Sequence, residues 1–307
     1  MSEPTESVAI TRVKALPRRG QWIAAAGVTV ILAMIVHALW SNPRFQWQTV
    51  GEFFTSSAIL HGLLRTLLLT AVSMVVGVVL GTFLALMRLS SNPVLSSCST
   101  AYVWFFRGTP LLVQLIFFYN ISALYPKLSL GIPFGPEFVS GNVNELVTPL
   151  VAAFIGLGLN EAAFMSEIIK AGIQSVEPGQ TEAGEVLGMT RWRITRRLVL
   201  PQAMRFIVPP TANQVIAMLK NTSIVSVIAL PELLYSAQII YTRDFTTIPL
   251  LVVASLWYLI VTSVLTVAQS VIERHYSRSD RSTGGFMVPR FIRFGRQGSL
   301  PGAGMAQ

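Results

Sequence analysis

Two groups of polar side chains stand inside runs that are otherwise lipid-soluble. Asn160 and Glu161 separate VAAFIGLGL from AAFMS, and Lys220, Asn221, Thr222 and Ser223 separate VIAML from IVSVIAL. A charged group at the centre of a bilayer costs on the order of 2.5 to 3.5 kcal/mol on insertion scales, so such groups face a partner or a cavity. Two readings follow, and they are compatible. The residues can satisfy one another, for example through a Glu161 to Lys220 pair, or they can line a water-filled path for a polar solute. A carboxylate and an ammonium together with Asn160, Asn221 and Thr222 would complement a zwitterion, whose own two charges both need partners. FFRGTPLLVQL adds Arg107, which near the cytoplasmic end of a span can snorkel to headgroups, and Gln114, one or two turns deeper, which cannot. Glu167 and Lys170, at i and i+3, read as a local helix pair.

Other chemistries find no home in the chain. Its single Cys98 rules out an intrachain disulfide and makes a thiolate metal site improbable, and His37, His61 and His275 are scattered. Neither a His-Glu-x-x-His run nor a Gly-x-x-x-x-Gly-Lys-Ser/Thr phosphate loop occurs. No catalytic constellation for a membrane-embedded enzyme is visible, and no cofactor is expected to bind the chain itself.

The elements that must carry these residues are transmembrane helices. Hydrophobic residues make up 52% of the 307 and charged ones 12%, with a mean hydropathy of +0.59, a composition suited to lipid. Six spans are predicted, at about 22 to 40, 62 to 87, 101 to 121, 147 to 169, 207 to 232 and 248 to 270, each near the 20 residues a helix needs to cross the hydrocarbon. The first is flanked by Trp22 and Trp40 and preceded by Arg12, Lys14, Arg18 and Arg19. Its apolar run exceeds the usual signal-peptide core and no small-x-small cleavage site follows, so an uncleaved anchor is expected. With the N-terminus inside, the segments 1 to 21, 88 to 100, 170 to 206 and 271 to 307 hold 17 of the 23 Lys and Arg residues. That distribution obeys the positive-inside rule and places both termini in the cytoplasm. The formal charge of +9 is then a matter of topology, and nucleic acid is not needed to explain it.

In the second span Ser73, Gly77, Gly81 and Ala85 recur every fourth residue, a stripe that lets another helix approach closely. Pro209 and Pro210 favour a kink near the start of the fifth span. From Arg278 the chain is rich in Gly, Ser and Arg and reads as a disordered cytoplasmic tail; Phe286, Phe291, Ile292 and Phe294 with their arginines leave a contact with membrane lipid open.

Between the fourth and fifth spans lies EAGEVLGMTRWRITRRLVLP, residues 182 to 201. The preceding helix should end before Pro178. Glu182 to Leu187 then has helical propensity, Gly188 can break it, and Thr190 is placed to cap a second short helix with Ile194, Leu198 and Pro201 on one face and Arg191, Arg193, Arg196 and Arg197 left polar. A short bent helix pair on the cytoplasmic side results. Alone it could bind anionic lipid.

At these residues the chain resembles the transmembrane subunits of ATP-binding-cassette importers, in their polar amino acid uptake branch. The family pattern is Glu-Ala-Ala, three residues, Gly, nine residues, Ile-x-Leu-Pro; here Glu182, Ala183, Gly188, Leu200 and Pro201 keep the register, with Gly184 where Ala is usual and Leu198 where Ile is usual. GLLRTLLLTAVSMVVGVVLGTFLALMRLS, FFRGTPLLVQL, LNEAAFMSEIIKAGIQSVEPGQTEAGEVLG and LPQAMRFIVPPTANQVIAMLKNTSIVSVIALPELL resemble family segments in order and spacing, over about residues 58 to 274. The resemblance implies an all-α membrane protein with a five-helix type I importer core at 58 to 274, a cytoplasmic coupling loop at 171 to 206, an added N-terminal helix within 1 to 57, and a tail at 275 to 307. An external insertion at about 122 to 146 departs from shorter members. It implies as partners a second permease subunit, identical or related, an extracytoplasmic solute-binding protein, and cytoplasmic ATPase subunits that bind the ATP and grip the loop at Glu182, Ala183, Gly188, Leu198, Leu200 and Pro201. Arg107, Gln114, Asn160, Glu161, Lys220, Asn221, Thr222 and Ser223 are the candidate lining of the path. An ion-gradient-coupled transporter using Glu161 and Lys220 as its coupling pair is the alternative.

Overall fold

A computed structural model describes residues 18–131 and 137–277. Within them the chain is helical apart from one hairpin. Four helices are long and apolar enough to cross a membrane unbroken: α1 (Arg18–Ser41), α3 (Ser57–Arg88), α7 (Pro149–Gln174) and α12 (Thr247–Ser277). Two further spans are bent pairs. α4 (Pro93–Gly108) turns by 101° into α5 (Leu111–Tyr119), and the run from Arg191 to Ile228, which contains α10 (Leu200–Asn221), turns by 45° into α11 (Leu233–Asp244). The six-span reading holds if each bent pair is counted as one span.

The third span, expected at about 101 to 121, starts earlier and is bent. Asn92 caps α4 by accepting from the Val94 amide at 2.9 Å, with Pro93 in the first turn, so the helix begins eight residues earlier than hydropathy suggested. Thr109 is extended and Pro110 cannot donate, which ends α4 before α5 starts. The insertion at about 122 to 146 holds the hairpin. β1 (Lys127–Gly131) pairs antiparallel with β2 (Glu137–Asn142), Lys127 opposite Asn142, followed by one short turn of helix, α6 (Val143–Leu146).

The small-residue stripe has its partner inside the same chain. Ser73, Gly77, Gly81 and Ala85 are buried against α7, where a Cβ built on Gly77 would run into the Glu161 side chain and one on Gly81 would lie 2.9 Å from the Ala162 carbonyl and 2.6 Å from Met165 Cβ. Lipid supplies no hydrophobic drive between helices, so this close backbone approach and its dispersion contacts are what join α3 to α7. Leu69, Leu115, Leu157, Met165 and Met218 complete that core. A second cluster packs α2 (Trp47–Phe54), the start of α3, α11 and α12 through Val50, Ile59, Leu233 and Leu250.

α1 stands apart from both cores, and its side chains are exposed from Trp22 to Ser41. At its end Trp47 stacks on Trp40 and Phe45 at 5.6 and 5.5 Å and donates its indole N–H to the Leu39 carbonyl. α10 runs through Pro209 and Pro210 without a break. The basic segment 1 to 17 and the tail from 278 onward lie outside the described residues.

Candidate functional site

The loop between α7 and α10 is built by local rules. α7 ends at Gln174, and α8 (Pro178–Val186) starts on the proline, whose missing amide is no loss in a first turn. It closes with two reversed bonds, Gly188 N–H to the Glu185 carbonyl at 2.9 Å and Met189 N–H to the Gly184 carbonyl at 3.0 Å. That pairing is a Schellman cap, and it needs a left-handed residue at position 188. Gly188 has φ +70° there. The glycine thus sets the angle at which α8 meets α9 (Arg191–Ile194), for which Thr190 is the N-cap residue without a side-chain bond.

The second limb differs from expectation. It is not a separate short helix: α9 passes through a π-turn at Thr195–Val199, with Leu200 N–H bonded to the Thr195 carbonyl, straight into α10. Pro201 has no amide for the Arg197 carbonyl, and a widened turn accommodates that missing rung. Loop and span are one continuous rod, joined as π-bulges often are at functional positions.

The two departures from the family pattern touch each other. A Cβ on Gly184 would lie 2.8 Å from Ile194 Cγ1 and 3.1 Å from Leu198 Cδ1, so the side chains of α9 fill the space an alanine would take. Ile194 is buried, and its packing clasps α8 to the rod. Gly184→Ala should push Ile194 out of this contact, and in a double-mutant cycle with Ile194→Ala the thermal-unfolding effects should be non-additive by about 0.5 to 3 kcal/mol. Additive effects would mean the clasp does not exist.

Around the clasp the loop is open. Glu182, Ala183 and Gly188 are exposed, and so are Val186 (87%), Leu187 (78%) and Trp192 (71%). Three large apolar side chains are thus exposed within seven residues of one short loop that also carries Glu182, a composition suited to protein contact. Behind it a cavity of about 1020 Å³ is lined both by the loop, through Glu185 and Trp192, and by the spans, through Val78, Met165, Thr211 and Val215.

The polar interior assembles only part of the predicted set. Asn160 donates its amide to the Phe106 carbonyl at 3.0 Å and to Gln114 Oε1 at 3.1 Å, while Gln114 donates to the Phe106 and Thr109 carbonyls and to Thr109 Oγ1. This buried network splices the break between α4 and α5 onto α7. It satisfies the carbonyls that the break frees. Glu161 is 1% exposed, accepts from Gln214 Nε2 at 3.1 Å through Oε2, and leaves Oε1 with no partner among the described residues. Lys220 is exposed and forms no ion pair among the described residues, so the Glu161 to Lys220 pair is not formed. Thr222 is buried and turns back to the Leu219 carbonyl, Ser223 to the Lys220 carbonyl, and Asn221 is half-buried at the end of α10.

Arg107 leaves this network for another. Its guanidinium lies 3.3 Å from Glu167 Oε1 and over the Phe164 ring, and Arg88 reaches the same oxygen at 2.5 Å. The local Glu167 to Lys170 pair is thus replaced by a tie across α3, α4 and α7. Sequence reasoning also missed Gln214 and Glu232. Glu232 is fully buried, caps α11 through the Tyr235 amide, and accepts from Thr66 and Tyr258 at 3.2 and 2.9 Å. Its position after Pro231 in LPELL, at a helix start, was the available signal.

A helical membrane domain whose long spans are bridged by a glycine-capped, exposed helix pair, running without interruption into the next span, is the permease subunit of a type I ATP-binding-cassette importer. Residues 77–278 match the family described as the binding-protein-dependent transport system inner membrane component, and the chain belongs to that family. Its relatives include the arginine transport system permease protein ArgU of Corynebacterium glutamicum, 43% identical over 88% of this chain and 84% of that one. The glutamate/aspartate import permease protein GltK of Escherichia coli O6:H1 is 36% identical over 75% of this chain and 98% of that one. Among solved structures, an amino acid ABC transporter crystallised with histidines is similar, with a TM-score of 0.60 and 35% identity over 71% of this chain and 94% of that one. Membership implies work alongside an ATPase and a solute-binding protein, in a membrane.

Proposed function

We propose that the chain is the permease subunit of an ATP-driven importer that takes a polar amino acid from an external solute-binding protein and passes it to the cytoplasm. The observation that carries this reading is the exposed, Schellman-capped knuckle at 182 to 201, fused through the π-turn to α10. Two permease subunits, identical or related, enclose the path, and two cytoplasmic ATPases bind the ATP; the chain needs no cofactor of its own. Both termini face the cytoplasm, by the distribution of Lys and Arg.

Coupling then has a mechanical route. An ATPase surface gripping Glu182, Val186, Leu187 and Trp192 moves α8 and α9 together, because Ile194 and the glycine cap make them one body. That motion passes along the rod into α10 and reshapes the cavity that loop and spans share, a two-state element that both sites can bias.

For the cargo, Glu161 Oε1, a buried carboxylate oxygen with no partner among the described residues, offers an ammonium a site, and Lys220, exposed on the isolated chain, can meet a carboxylate. Amino acids as a class are supported by the relatives, among which arginine, glutamate and aspartate permeases all occur by name. Glu161→Gln keeps the bond from Gln214 and removes the charge; uptake should fall by about 10- to 100-fold, the worth of a charged hydrogen bond, and Lys220→Met should raise the half-saturation concentration. Labelled amino acid uptake at several concentrations measures both. If the double variant transported with unchanged rate and affinity, the path would lie elsewhere.

A further inference from the structure

We infer that the corner where α3, α4 and α7 meet holds the phosphate of an anionic phospholipid from the cytoplasmic leaflet. Arg88 ends α3, Arg107 lies in the last turn of α4, and Lys170 lies about one turn beyond Glu167 on α7. Two guanidiniums meet one carboxylate, and Lys170 adds a third cation a turn away on the same helix. Both guanidiniums use the same acceptor, Glu167 Oε1, and it is the only acceptor their side chains find among the described residues. Each guanidinium has five N–H donors. Most are therefore unspent, including Arg88 Nε, which is buried with no partner. Arg88's side chain is 12% exposed and Arg107's 44%, so a ligand reaching Arg107 from the surface meets donors that lead inward.

The surroundings point to lipid as the source of that ligand. Arg88 is the last residue of the α3 span, so the corner stands at a headgroup end of that span, and α4 starts beside it. The exposed side of α4 carries Val94, Leu95, Trp104 and Phe105, an apolar and aromatic face of the kind that settles at the headgroup boundary. Arg107 sits at the end of that face. A phosphodiester offers two oxygens to a guanidinium in fork geometry, and a negatively charged headgroup also balances the excess positive charge. A zwitterionic phosphocholine brings its own cation and would balance nothing.

The assignment to the cytoplasmic leaflet rests on the orientation proposed above, and Cys98 separates the two claims. It is the chain's single cysteine and is exposed on α4. Full-length chain in proteoliposomes, labelled there with a fluorophore, is mixed with phosphatidylglycerol or phosphatidylcholine carrying a quencher in the headgroup. Quenching by phosphatidylglycerol should exceed that by phosphatidylcholine at equal mole fraction, and the preference should fall about fivefold for each of Arg88→Gln and Arg107→Gln. Lys170→Gln should lower it as well. Equal quenching by the two lipids, or a preference that survives the Arg88→Gln/Arg107→Gln double variant while the protein stays folded by its melting curve, would overturn the site. An impermeant maleimide that reaches Cys98 from the external face of intact cells would overturn the leaflet while leaving the lipid preference to stand or fall by its own measurement.

Discussion

Proline in place of Gly188 is expected to abolish ATP-driven uptake while leaving the chain inserted in the membrane. The Schellman cap needs φ +70° at that residue, and proline is confined near −65°, so the two reversed bonds to the Glu185 and Gly184 carbonyls cannot form together. α8 would leave α9 at another angle, and the placement of Val186 and Leu187 relative to Trp192 would change. Nothing else need change, because a Cβ at Gly188 meets nothing within 4 Å and the loop lies outside the packed cores. Glu182→Lys should give the same phenotype by another route. It reverses a charge on an exposed residue of the proposed ATPase contact without touching the backbone, and charge opposition in a protein interface costs several kcal/mol, or about 100- to 1000-fold in binding. Uptake of labelled amino acid, with membrane abundance followed by immunoblot, checks both. Normal uptake with either variant would mean that the knuckle is not where force enters.

The second large effect is on the fold itself. Leucine at Gly77 or Gly81 should prevent α3 from reaching α7, giving a chain that inserts but does not yield a monodisperse, transport-competent protein. At Gly81 the obstruction is backbone, the Ala162 carbonyl, together with Met165 Cβ, and neither can swing aside. Overpacking a relaxed core costs about 1 to 3 kcal/mol, and a contact with backbone belongs at or above the upper end. At Gly77 the intruding group also displaces Glu161, so partial function there should come with altered substrate affinity. Gly51→Ala is the matching control, since nothing lies within 4 Å of a Cβ at that position on α2. It should be neutral or stabilise by up to about 1 kcal/mol, through helix propensity. Size-exclusion profiles and melting curves in detergent distinguish the three.

How far the sequence was legible varied with the range of the interactions involved. The unbroken spans and the knuckle were readable because hydropathy, proline, glycine and N-cap rules act over a few residues: α7 ends before Pro178, and Gly188 ends α8. The Ser73, Gly77, Gly81 and Ala85 stripe announced close packing, but only the folded chain identifies α7 as its partner. Contacts that depend on helix rotation and depth were not legible. Glu161 and Lys220 lie in neighbouring spans, yet Glu161 faces Gln214 and Gly77 while Lys220 is exposed, and no local rule encodes that. Glu167 was read against its helical neighbour Lys170; it prefers Arg88 and Arg107 because the α4 to α5 bend brings Arg107 back across α7. The bend was missed because hydropathy averages over windows, and Thr109-Pro110 is too short to register in one.

Reconstitution in vesicles, with the energy source as the variable, tests the central claim most directly. The purified permease is incorporated with its ATPase, charged with the solute-binding protein and a labelled amino acid, and uptake is measured with ATP and no ion gradient, then with an imposed ion gradient and no ATP. Uptake should require ATP, the ATPase and the binding protein together, and should be lost with Gly188→Pro. Uptake by the permease alone, driven by the ion gradient and indifferent to ATP, would contradict it.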